Sequence, residues 1–83
     1  MAADRVYSVS VEWDEEAKVY VAHSDDVPGL ATGADTFEQL IEKLKVVVPE
    51  LLRENGLLPT HRRDADVPIR VKAERLERIK SAA

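Results

Sequence analysis

The chain of 83 residues has no cysteine. That excludes a disulfide framework, a thiolate metal site and a cysteine nucleophile, and leaves room for one domain with a thin core. Its net charge of −4 is unevenly spread, with residues 1–56 at −7 and residues 57–83 at +3, so the body is a poor surface for nucleic-acid phosphates and a better one for a basic protein. The opening MAADRVYS has no basic segment followed by an apolar run, and no stretch approaches the ~20 apolar residues of a membrane helix, so the expectation is a cytoplasmic protein.

Val6 to Trp13 alternates, with Tyr7, Val9, Val11 and Trp13 on one side and Val6, Ser8, Ser10 and Glu12 on the other, which predicts a half-buried strand with Trp13 in the core series. After the polar turn Asp14 to Lys18, a second strand runs from Lys18 to Ser24, Val19 and Val21 opposing Tyr20 and Ala22. The two form a hairpin. Asp25-Asp26-Val27-Pro28-Gly29 breaks the pattern, and Pro28-Gly29 predicts a type II turn. A short third strand, Leu30 to Ala34, follows, with Gly33 marking a bulge or a close backbone approach.

From Thr36 to Gly56 the spacing of Phe37, Leu40, Ile41, Leu44, Val47, Val48, Leu51 and Leu52 predicts a long amphipathic helix. Thr36 with Gln39 supplies a capping box, Asp35 with Glu38 the same one residue earlier, and Asn55-Gly56 a left-handed stop. Pro49 costs roughly 3 kcal/mol inside a helix, but the apolar stripe runs through it. A kinked, continuous helix is therefore expected, in preference to two helices with Pro49 opening the second. Residues 57–66 read as a loop whose first two leucines fold back over the helix end, with His61, Arg62 and Arg63 forming either a solvated or an anion-binding stretch. Val67 to Ala73 is a fourth strand with Pro68 at its start or edge. Glu74 to Ala83 predicts a short frayed helix anchored by Leu76 and Ile79.

The fold expected is α+β in two layers, an antiparallel sheet in the order β-β-β-α-β packed on one kinked helix, with a core over about residues 5–73 and a tail over 74–83. The open face would carry Ser8, Ser10, Glu12 and Tyr20.

Asp26-Val27-Pro28-Gly29-Leu30 after a hairpin, followed by Thr32-Gly33-Ala34-Asp35-Thr36-Phe37-Glu38-Gln39-Leu40, resembles the N-terminal domain of the HicB antitoxins. With Val11 to Ala17 and Pro49-Glu50-Leu51-Leu52 added, it is more similar still to short standalone HicB-like domains of unknown function. The resemblance spans roughly residues 6–73. It implies a sheet-plus-helix domain that pairs with itself and, in the antitoxins, covers a small basic ribonuclease. Those antitoxins usually add a DNA-binding domain, whereas ten residues follow Ala73 here, so direct DNA binding is not expected.

Asp14, Glu15, Glu16, Asp25 and Asp26 are the candidate partner-binding residues, a negative fringe able to steer a basic protein. Pro28 and Gly29 are assigned to the turn. A divalent metal held by these carboxylates with His23 is the competing reading and ranks below, because hairpin turns are normally acidic and solvated. No catalytic residue, metal or cofactor is expected. The functional alternatives are a HicB-like antitoxin, or antitoxin-derived protein, acting as a homodimer, and an orphan homo-oligomeric domain without a toxin partner.

Overall fold

The computed structural model describes residues 5–58 and 67–81. Strands β1 (Tyr7–Asp14), β2 (Val19–His23) and β3 (Ala31–Ala34) precede helix α1 (Phe37–Glu54), and β4 (Ile69–Glu74) follows it. They form one four-stranded sheet in the order β3-β2-β1-β4, covered on one face by α1. The α+β class and the element order are as expected.

One pairing differs. β1 and β2 pair antiparallel, as do β2 and β3, but β4 lies parallel to β1 with Tyr7 opposite Ile69 and Glu12 opposite Glu74. Two antiparallel turns leave β3 running in the direction of β1, and the helix returns the chain so that β4 starts from the same end as β3. The sheet is therefore mixed, a property that alternation along a strand cannot reveal.

On the covered face Tyr7, Val9, Val11, Ala22 and Ala34 are buried, and the helix meets them with Leu40, Leu44, Val48 and Leu52, a single stripe at intervals of four. The helix is continuous through Pro49. Its ends follow the expected chemistry. The Thr36 hydroxyl accepts from the Gln39 amide at 3.1 Å. At the other end the Leu57 amide donates to Leu52 O at 2.8 Å and the Gly56 amide to Arg53 O at 3.1 Å, with Gly56 at φ +73°, which is a Schellman stop. Leu58 packs on the core while Leu57 is exposed, so one of the two leucines folds back.

Gly33 is a close approach without a bulge, since the β2–β3 register is unbroken and a Cβ there would lie 3.0 Å from the Tyr20 carbonyl oxygen. Pro68 directly precedes β4, and its carbonyl accepts from the Tyr7 amide at 3.0 Å. Two assignments are corrected. Tyr20 faces the helix, because register pairs it with Trp13 and Ala34, and Val19 and Val21 take the open face instead. Every residue from Val19 to Ala22 is apolar or aromatic, so alternation alone did not choose a side. The tail from 75 to 81 has no helix, and Leu76 and Ile79 are exposed rather than anchored. The His61 to Arg63 stretch lies outside the described residues.

Candidate functional site

The two acidic clusters sit at opposite ends of β1. Asp26 reaches the backbone of Ser8, near the start of the strand, and Asp14 ends it. At ~3.3 Å per residue these points lie roughly 20 Å apart. The structure does not bring the five carboxylates together. Among the described residues, no three His, Asp or Glu side chains gather as metal ligands.

At the hairpin end the turn is built by Asp14. Its carboxylate accepts from the Glu16 and Ala17 amides at 3.0 and 3.1 Å, and its carbonyl from the Lys18 amide at 2.7 Å. Lys18 takes a left-handed φ of +59° to re-enter β2. Glu15 pairs with Lys18 and accepts from Trp13 Nε1 at 2.9 Å. The hydrogen bond from Lys18, then that from Trp13, holds the Glu15 carboxyl below its ordinary value. Glu16 is exposed.

Trp13 is half-buried at the margin of the core, not inside it as the alternation implied. It meets Tyr20 edge to face with centroids 4.8 Å apart, and Tyr20 meets Phe37 at 6.1 Å. The Arg75 guanidinium lies 4.3 Å from the Trp13 ring centre and donates to Tyr20 Oη at 3.2 Å. That hydrogen bond raises the Arg75 pKa, keeping the cation charged. Through Tyr20 this chain of rings and one cation links the end of β1 to Phe37 at the start of α1. The sequence reading missed Arg75 and misplaced Tyr20. Only the β1–β4 register could have brought residue 75 to residue 13.

At the other end of β1, strand β2 stops at His23, opposite Ser10. The Ser8 backbone groups on that side then lack a strand partner. Two side chains supply one: the Asp26 carboxylate accepts from the Ser8 amide at 2.8 Å, and the Ser24 hydroxyl donates to Ser8 O. Ser24 Oγ also accepts from the Asp26 and Val27 amides at 3.0 and 3.1 Å. Arg5 pairs with Asp26 at 3.4 Å. Val27 and Leu30 are buried in the core, and between them Pro28 and Gly29 form the type II turn, with Gly29 at φ +85° and the Leu30 amide donating to Val27 O at 3.2 Å. Asn55 ties the Pro28 carbonyl to the helix end at 3.5 Å. This motif is the fold's clasp. Of the five candidate carboxylates, Asp14, Glu15 and Asp26 are engaged within their own chain, while Glu16 and Asp25 point outward.

A family model described as a domain of unknown function, DUF1902, matches residues 6–83. The chain belongs to the DUF1902 family. This is a HicB-like family, in keeping with the resemblance to short HicB-like domains, and its description gives no function. The DUF1902 chain is also 35% identical over 52 residues to a UPF0150 protein of Thermotoga maritima, covering 63% of this chain and 69% of that one. Its backbone is similar to the crystal structure of the hypothetical protein TTHA1013 of the extremely thermophilic bacterium Thermus thermophilus, at a TM-score of 0.66 and 45% identity, over 93% of this chain and 100% of that one. Among the described residues, no helix is long and apolar enough to cross a membrane.

Proposed function

We propose that this DUF1902 chain is a non-enzymatic, cytoplasmic protein-interaction domain, a HicB-like antitoxin or antitoxin-derived protein that pairs with itself and covers a small basic ribonuclease. The reading is supported by two outward acidic points at opposite ends of β1, Glu16 in the hairpin turn and Asp25 beside the clasp. Asp14 locks the turn so that Glu16 is presented at a fixed place, and the clasp does the same for Asp25 at the far end. Two fixed negative points on a body of charge −7 favour a basic partner over phosphate. The domain acts without a cofactor and without touching DNA directly.

The test is a pull-down from native lysate with tagged protein, against a variant carrying Glu16→Lys and Asp25→Lys, both outside the fold's own hydrogen bonds. A small basic nuclease recovered with the parent and lost with the variant supports the reading. Recovery of only the protein itself rejects it and favours the alternative, an orphan homo-oligomer. An apolar groove beside β4, in a chain whose own tail exposes two large apolar side chains, supports the self-association that both readings share.

A further inference from the structure

The helix lies over β2 and β3, leaving the inward side of β4 only partly covered. Ile41, Val48 and Pro49 of α1 face Val67, Ile69 and Val71 across a groove of about 390 Å³ whose walls are mostly apolar. Among the described residues β4 is also an edge strand, with no strand paired to its outer side. Beyond β4 the tail presents Leu76 at 79% and Ile79 at 90% exposure. Large apolar side chains so exposed within a few residues of each other signal a contact surface.

The tail does not fill its own groove. The groove lies along the start of β4, whereas the tail leaves from the other end, after Glu74. Arg75 is fixed there on Trp13 and Tyr20, so the chain leaves the sheet at the end remote from the groove. A second copy has no such restriction. Leu76 and Ile79 are three apart, a spacing that places both on one side of a helical turn. Among the described residues the charged side chain on the groove wall is Lys45, whose charge is offset by Glu42 at 3.0 Å, so the apolar wall does not oppose a tail carrying Arg78 and Lys80.

We infer that the tail of one copy docks in the α1–β4 groove of another, Leu76 and Ile79 seated side by side as a helical turn that forms on binding. Two reciprocal tails would close a symmetric dimer in which each groove is filled by the partner. The inference rests on the self-association in the reading above and not on its toxin.

The chain contains no cysteine, so introduced ones report without background. Lys45→Cys chains, at the groove, are mixed with Lys80→Cys chains, beside Ile79, and oxidised. The expected product is a disulfide between the two different chains, at twice the 9.3 kDa of one. Leu76→Asp with Ile79→Asp, which touch no core residue, should abolish that cross-link and raise the dimer dissociation constant at least tenfold in sedimentation. Three results would overturn the inference: a monomer at tens of micromolar, which also removes self-association from the functional reading; a dimer indifferent to the tail variant, which keeps self-association but moves it elsewhere; or a Lys45→Cys/Lys80→Cys chain that closes on itself, which places the tail in its own groove.

Discussion

Replacing Asp26 by Ala removes the acceptor that continues the β1 ladder where β2 has stopped. A hydrogen bond from an amide to a carboxylate contributes about 1.5–3 kcal/mol, and the Ser8 amide at 2.8 Å makes one. Ser8 is exposed, so water replaces part of it and the lower end applies. The Arg5 pair, with side chains 58% and 31% exposed, adds at most a few tenths. The expected loss is about 1.5 kcal/mol. For a domain of this size each kcal/mol moves the melting temperature by roughly 4–8 °C, so Asp26→Ala should melt about 6–12 °C lower. Asp26→Asn keeps an acceptor of the same reach and should lose about half as much. Asp25→Ala, one residue away and exposed, should stay within about 0.5 kcal/mol. Thermal and urea denaturation of the three variants, with hydrogen exchange at the Ser8 amide, checks this. Equal losses for Asp25→Ala and Asp26→Ala, or an unchanged Ser8 exchange rate in Asp26→Ala, would refute the clasp.

Pro49→Ala restores an amide that can donate to the Lys45 carbonyl, and should stabilise the protein by about 1–3 kcal/mol in urea unfolding; an unchanged midpoint would mean that the helix had already relaxed around the ring. Gly33→Ala places a Cβ 3.0 Å from the Tyr20 carbonyl oxygen, a backbone atom, and should destabilise by about 1–3 kcal/mol, whereas at Gly56, with open space at φ +73°, the loss to Ala comes from backbone strain alone and should be about 1 kcal/mol. Chemical denaturation ranks the pair, and the reverse order would contradict the geometry. The Glu15 carboxyl, held below 4.5 by Lys18 and Trp13, keeps those hydrogen bonds above its unfolded value and loses them as pH falls through the lower folded one. The Trp13 indole N–H resonance should therefore titrate with a midpoint below 4.5, and Glu15→Gln should flatten the curve. A midpoint above the ordinary carboxyl value would dissociate the two residues.

Much of the clasp was legible beforehand, because its parts are local. Pro28 presets one backbone angle and Gly29 supplies the positive one, so the type II turn needs only neighbours in sequence to form. The same holds for Thr36 and Gly56, which act within one turn of the helix they bound. The candidate carboxylates were less legible. Asp26 and Asp25 are indistinguishable as letters, and what separates them is the place where β2 ends, which leaves Ser8 facing one of them. Trp13 was placed in the core by a period of two that is correct for orientation but silent on how fully a residue at the end of the strand is covered.

By itself the sequence determined the elements: a period of two for the strands, an interval of three and four for α1, and the caps and turn residues that punctuate them, all set by interactions across a few residues. Only the tertiary structure decided which edge β4 takes, that it runs parallel to β1, and hence that Arg75 reaches Trp13 while the groove beside α1 stays open. The physical reason is range. A backbone angle or a helical stripe is a local energy, but strand direction and register are settled by which burial of the whole apolar set leaves the fewest backbone groups unpaired, and no window along the chain contains that sum.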